Sequence, residues 1–359
     1  MWGLVHIVFY SFIGCVLSFP ATDTSPSIMK NNDSPKLIAI MGATGNQGGA
    51  VIQAFQTICQ ERGKYKLRAM TRDPSSGKAQ TLKESGLVEE IVQADANDEA
   101  SLVKAFEGCH GAFIVSDNRL EPSYAAEEQR MLRTIKRALI QSAVKHVVLS
   151  TSTDTRPYIS KAENVDTWKM LESESKMYVP HMDGKSEVSL EFHAELPTTL
   201  LLPPFYTDNF INYGMGPSRP NGDANSPYGI TFPMGNEKLV MATVQDIGKC
   251  VCAIFEEGDT YIGQEVGVTS DSLTGEEIAA VFAKVCGQEV QYNDVPTDVY
   301  ATFFPGAEDL ANMFRFYVEF APMYIKSRST PKPLLSRMGS VMSLEEYVTM
   351  NKAAFKLDK

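Results

Sequence analysis

Residues 42–49 read Gly-Ala-Thr-Gly-Asn-Gln-Gly-Gly, directly after the apolar run Ile38-Ala39-Ile40-Met41. Glycines at 42, 45 and 48 act by what they lack: Gly42 permits a tight turn, Gly45 lets backbone approach a pyrophosphate, and Gly48 lets a helix pack closely on a strand. The helix N-terminus that follows offers unpaired N–H groups and a partial positive charge. An anion suits that place. The spacing is Gly-x-x-Gly-x-x-Gly rather than Gly-x-Gly-x-x-Gly, and glycines alone would also suit a plain turn. The flanking strand and helix, with further strand and helix units downstream, point instead to a dinucleotide.

Two positions bear on which dinucleotide. The second strand-like run ends in Ala69-Met70-Thr71-Arg72-Asp73-Pro74. A cation at that end accommodates a 2′-phosphate and an acid holds a free 2′-hydroxyl, so Arg72 favours NADP(H) over NAD while the adjacent Asp73 pulls the other way. A solvated strand-end charge is the alternative for Arg72. Asp95 closes the third run, where a carboxylate meets an adenine amino group or caps a helix starting near Asn97.

His181 and Lys185, in His-Met-Asp-Gly-Lys, have the i, i+4 spacing of the Tyr-x-x-x-Lys pair of a short-chain reductase. In such a pair the tyrosine transfers a proton, and the lysine lowers its pKa and holds the nicotinamide ribose. Histidine stands here in place of tyrosine. It is a competent proton donor near neutral pH, though its reach differs from a phenol's, and a surface or packing role is the alternative. Lys185 needs only to be a cation on that helix face to hold a ribose. Tyr178 precedes Pro180 and falls outside the helix.

The elements that must position these residues alternate cleanly from Lys36 onward. Strand-like runs occupy 37–42, 67–72, 88–95, 111–117, 146–152 and 198–205, with helical patterns between the first five, most clearly over 124–143. That rhythm gives an α/β fold: a Rossmann-like doubly wound parallel sheet with right-handed crossovers. Residues 206–240 are rich in Gly, Pro, Asn and Tyr and read as a long loop or small irregular subdomain. Regular elements return as a helix near 244–257, a strand at 264–270, a helix opened by a capping box at Thr274, a strand at 288–295 and a helix over 307–320. The expected organisation is a leader and linker over 1–35, a nucleotide-binding domain over 36–205, and a smaller α+β C-terminal part over 206–359.

At 359 residues and 43% hydrophobic, the chain can bury a full core. A net charge of −11 and no run of Lys or Arg argue against direct nucleic-acid binding. The six cysteines form no CxxC pair and have no metal spacing with the five histidines. Cys250 and Cys252, two apart in a helical stretch, read as small hydrophobes on different faces. Residues 2–20 are uncharged and apolar, resembling a signal peptide without its basic start, and no other segment reads as a membrane anchor. A polar linker with the sequon Asn32-Asp33-Ser34 follows. Secretory entry, an organelle such as a plastid, and a misassigned start codon compete as explanations.

On GATGNQGG (42–49), TRDP (71–74), HMDGKSEV (181–188), LPPFYTDNF (202–210), YIGQEVGVTS (261–270) and FPGAEDLANMFRFY (304–317), the chain resembles the NmrA-like branch of the atypical short-chain dehydrogenases. Within that branch it is similar to the NADPH-sensing redox sensors. The likeness runs from Lys36 to the end, and the last stretch, which has no catalytic logic of its own, is its most specific part. The resemblance implies NADP(H), with phosphates on Gly42, Ala43, Thr44, Gly45, Asn46 and Gln47, a 2′-phosphate near Arg72 and the following loop, and adenine beside Asp95 and Ala96. Ser116 and Asp117 would flank the cofactor, Lys185 would reach its nicotinamide side, and Pro204, Phe205, Tyr206 and Thr207 would close over it. Family sensors often carry a second basic residue soon after the strand-two arginine, and here that residue is either Lys78 or missing. The resemblance also implies a cytoplasmic or nuclear sensor acting through a protein partner or a homodimer; the Gly- and Pro-rich stretch 206–240 reads as the mobile element of such a sensor. The alternative is a reductase similar to the isoflavone-reductase-like enzymes that relies on Lys185, with Phe205, Tyr206, Phe210 and Tyr213 lining an apolar pocket.

Overall fold

Ile38 and Ile40 face one side of a strand and Ala39 the other, and all three are fully buried. Covering on both faces is what a parallel strand between two helix layers requires. The computed structural model describes residues 34–357, apart from 60–62, 118–119, 121–123, 173–174, 220–222 and 224–225. The apolar leader and Asn32 lie outside the described residues. Six strands come first: β1 (Lys36–Ile40), β2 (Tyr65–Thr71), β3 (Glu90–Gln93), β4 (Gly111–Ile114), β5 (His146–Ser150) and β6 (Thr198–Leu202). Between them run α1 (Asn46–Thr57), α2 (Gly77–Glu84), α3 (Glu99–Phe106), α4 (Tyr124–Gln141), the short α5 (Arg156–Ile159) and α6 (Pro180–Glu195).

The remainder comprises β7 (Phe205–Tyr206), α7 (Asn209–Asn212), β8 (Tyr228–Thr231), β9 (Leu239–Ala242), α8 (Val244–Glu256), β10 (Glu265–Gly267), β11 (Asp271–Leu273), α9 (Gly275–Cys286) and β12 (Val290–Asn293). Helices α10 (Thr297–Tyr300), α11 (Ala307–Glu319), α12 (Ala321–Arg328), α13 (Lys332–Met338) and α14 (Leu344–Met350) end the chain. The main sheet has seven strands in the order β10-β6-β5-β4-β1-β2-β3, all parallel. This is the Rossmann-like order, and its connections diverge between β1 and β4, where a crevice opens beyond the carboxyl ends of the strands.

Helices α3, α4 and α6 cover one face of the sheet, and α1 and α8 the other. Gly248 brings α8 against α1 so closely that a Cβ there would lie 2.4 Å from the Ala50 carbonyl oxygen. Cys250 and Cys252 are both fully buried in this layer as small hydrophobes, and burial pushes both thiols up, that of Cys250 to about 12. Strand β10 and α8 follow residue 206 in sequence, yet β10 joins the main sheet as its edge strand and α8 covers one of its faces.

Where composition points to a long loop or small irregular subdomain over 206–240, the structure holds α7 and β8, with β7 and β9 at the edges of the segment. Phe210, Tyr228, Ile230 and Phe232 join Phe205, Phe282 and Phe314 in a third core beneath α9 and α11. The turn residues are genuine, but the apolar residues between them carry the packing. Among the described residues no helix is long and apolar enough to cross a membrane.

Candidate functional site

The glycine loop has the geometry its spacing asks for. Gly42 sits at φ +65°, and a Cβ on Gly48 would lie 2.3 Å from the Gly42 carbonyl oxygen, so neither position takes a side chain without displacing backbone. Gly45 caps α1 without a side chain, and the first turn of α1 has no acid. Its N–H groups are therefore left facing the crevice. The Gln47 side chain accepts from Ser150 Oγ at 2.9 Å and donates to the Tyr206 hydroxyl at 2.6 Å, tying the loop to the ends of β5 and β7. Gly42, Thr44, Gly45, Asn46, Gln47 and Gly48 all border one cavity of about 890 Å³. Ala43 stands apart, buried in the core with its N–H on the Met70 carbonyl.

Arg72, Lys78, Asp95 and Ala96 border the same cavity at the β2 and β3 end. Among the described residues neither Arg72 nor Lys78 has an ion-pair partner, so two cations are available to a phosphate there. Asp73 is turned away: its carboxylate accepts from the Ser75 N–H at 2.9 Å and from the Ser75 hydroxyl, which hold its pKa down. The helix after β3 is capped by Asp98, whose Oδ1 accepts from Ala100 and Ser101, so Asp95 does not serve as that cap. Asp95 instead accepts from the Asn97 N–H at 2.8 Å.

At the other end of the cavity lie Ser116, Asp117, His181 and Lys185. Helix α6 starts at Pro180, leaving Tyr178 outside it. Asp183 fixes the entry by accepting from Thr155 N and Oγ1, both at 2.8 Å, from Val179 N at 2.9 Å and from Tyr178 N at 3.0 Å. Two carboxylates that sequence reasoning missed then hold the two site residues. Lys185 Nζ is 3.2 Å from Glu128 Oε1, which also accepts from Ser116 Oγ, and the Glu128 side chain is 2% exposed. His181 Nδ1 is 2.8 Å from Asp309 Oδ1, and Asp309 Oδ2 accepts the His181 N–H at 3.2 Å. Asp309 is buried in the first turn of α11, and Asn312 in the same helix donates to the Tyr178 and Lys169 carbonyls. An ionised carboxylate only accepts, so the hydrogen sits on Nδ1 and Nε2 is the ring's remaining functional atom. This is the arrangement of an oriented acid or base.

Beyond His181 the wall turns apolar and aromatic: Tyr300, Phe304, Leu310, Met313 and Tyr317 come from α10, α11 and the turn between them, and Tyr213 and Met215 come from the segment after α7. Pro204, Phe205 and Tyr206 border the cavity, and burial raises the Tyr206 phenol well above its ordinary value. Thr207 does not border it; its N–H bonds the Ala242 carbonyl and the residue is 2% exposed. Phe210 likewise belongs to the core, its ring tilted against Phe205 and edge-on to Phe282.

The chain is 29% identical over 280 residues to the NmrA-like family domain-containing oxidoreductase malD of Malbranchea aurantiaca, covering 73% of this chain and 78% of that protein. It is 22% identical over 331 residues to an NmrA-like family domain-containing protein of Dictyostelium discoideum, covering 90% and 99%. Among solved structures it is similar in fold to NmrA, a negative transcriptional regulator crystallised with NADP, at a TM-score of 0.69 and 19% identity over 91% of this chain and 99% of that one. The triphenylmethane reductase of Citrobacter sp., crystallised with NADP(H), has a TM-score of 0.63 and 20% identity over 88% and 99%. The family model for the NmrA-like family matches residues 34–348. The chain belongs to the NmrA-like family.

Proposed function

We propose that this protein is an NADP(H)-dependent reductase of aromatic or otherwise apolar acceptors. The observation that carries the proposal is that one cavity joins the glycine loop, two cations without an ion-pair partner among the described residues, and an aromatic chamber, with the His181–Asp309 pair where cofactor groove and chamber meet. The glycine loop and the α1 N-terminus would hold the pyrophosphate, and Arg72 with Lys78 the 2′-phosphate. Asp95 and Ala96 would border the adenine. Lys185, kept in place by Glu128, would hold the nicotinamide ribose. When bound, the cofactor supplies a hydride. His181 then donates a proton from Nε2 to the acceptor atom that gains negative charge, Asp309 stabilises the imidazolium before transfer, and solvent restores the proton. The apolar wall excludes water from the acceptor. The names of the curated relatives and the cofactors crystallised with the structural neighbours support this assignment.

The test is a titration of the full chain with NADPH, NADP+, NADH and NAD+, followed by NADPH oxidation over a panel of quinones and aldehydes. Tight NADPH binding and acceptor-dependent oxidation are expected. Asp309→Asn should lower kcat about tenfold while leaving the Kd for NADPH unchanged, as expected of a residue that orients the proton donor.

A second reading is a sensor of the NADPH/NADP+ ratio that acts through a protein partner or a second copy of this chain. The histidine in the tyrosine position favours it, as does the fold shared with a transcriptional regulator. It requires different affinities for the two redox forms in two conformations. NADPH-preferring binding that changes partner affinity, with no oxidation of any acceptor, is the outcome that selects it.

A further inference from the structure

Arg328 ends α12 with 1% of its surface exposed, yet it borders the cavity. Its Nη1 donates to Ser327 Oγ at 2.8 Å and its Nη2 to Thr153 Oγ1 at 2.9 Å, both neutral hydroxyls, while Nε has no partner. The guanidinium lies over the Tyr324 ring, 4.4 Å from its centroid. Among the described residues no carboxylate pairs with it. A buried cation is costly unless neutralised, and aromatic stacking offsets only part of that cost.

The position is built rather than incidental. Thr269 Oγ1 donates to the Arg328 carbonyl at 2.6 Å, and β10 comes so near that a Cβ on Gly267 would lie 2.4 Å from the Arg328 carbonyl carbon. Thr153, on the other side, continues the segment Ser150–Ser152 that borders the cavity beside β5. The other cations of the cavity have evident roles: Lys185 is neutralised by Glu128, and Arg72 with Lys78 stands at the adenosine end. Among the described residues, Arg328 is the buried cation of α11 and α12 that no carboxylate neutralises.

We propose that Arg328 recognises a carboxylate carried by the substrate, so that the acceptors are apolar carboxylic acids bearing a reducible carbonyl or conjugated double bond. Two of its five N–H donors are used, leaving Nε–H and a neighbouring Nη–H as a planar fork that matches a carboxylate. A single fork in an apolar wall suits a monoanion better than a phosphate dianion, which needs further cations. The identity of the bound acid as a substrate rests on the reductase reading; the carboxylate subsite does not.

The test measures binding apart from turnover. Full-length protein saturated with NADP+ is titrated calorimetrically with 4-formylbenzoate and with its methyl ester. The acid should bind at least about tenfold more tightly than the ester. Arg328→Met should abolish that preference, and Arg328→Lys, which keeps the charge and loses the fork, should retain part of it. Equal binding of acid and ester, binding of neither at millimolar concentration, or an undiminished preference in folded Arg328→Met overturns the proposal. NADPH oxidation with the same two compounds is followed separately. A preference for the acid without oxidation upholds the subsite and counts against the reductase reading; oxidation of both compounds without a binding preference does the reverse.

Discussion

Glu128 carries a nearly buried charge, and Lys185 is its counterion. Removing one member of such a pair leaves the other uncompensated, which costs more than the pair itself contributes. Glu128→Gln should therefore destabilise the fold by about 3 kcal/mol and weaken NADPH binding, read by chemical denaturation and by titration. His146 makes a separate statement about acid. It is buried at the start of β5 against Phe255 and Thr199, and burial lowers its pKa from 6.5 to about 4. Between those values the unfolded chain binds a proton that the folded chain refuses, so stability falls as pH drops through this window and the contribution is intact above it. The loss from this residue at pH 4 should be on the order of 3 kcal/mol. Denaturation of wild type and His146→Gln at pH 7 and pH 4.5 checks it, since the variant should lose less stability over that interval.

At the scale of elements, two glycines separate packing from binding. Gly48→Ala would drive a Cβ into the Gly42 carbonyl and open the loop, so stability should fall by about 3 kcal/mol and NADPH affinity by more than about tenfold. Gly248→Ala meets backbone just as closely, but its neighbour is the Ala50 carbonyl at the α1–α8 contact, just after the loop, and not the Gly42 carbonyl within it. It should lower the melting temperature while the folded fraction keeps its NADPH affinity. The strands of the main sheet were legible in the sequence because helical stretches alternate with them in a regular rhythm, and the amphipathic helices because each is long enough to show its period. Strands β8 and β9 were not. They are four residues each, set among Gly, Pro and Asn, and too short to reveal a periodicity. Helix α6 was readable as the carrier of His181 and Lys185, but their partners were not. Asp309 is 128 residues from His181 in the chain, and pairing at that distance leaves no local signal. Its segment was distinctive as a family fingerprint without its chemistry being visible, and Arg328 lay in a stretch with no motif at all.

For the whole molecule, a chain of net charge −11 places cations without an ion-pair partner among the described residues at both ends of the crevice that joins the nucleotide path to the aromatic wall. Low-dielectric walls focus such charge on entering anions. Arg72→Gln combined with Lys78→Gln should reduce the preference for NADPH over NADH by about tenfold or more, with NADH affinity little changed, because a charge-assisted contact to the 2′-phosphate is lost and a free hydroxyl makes none. The central claim is that this crevice performs reduction and does not merely bind. It is tested most directly by acceptor-dependent NADPH oxidation by the full chain, wild type beside His181→Gln. The account predicts oxidation that falls about 100-fold in the variant with NADPH affinity unchanged; tight NADPH binding with no oxidation of any acceptor, or equal rates in the two proteins, would contradict it.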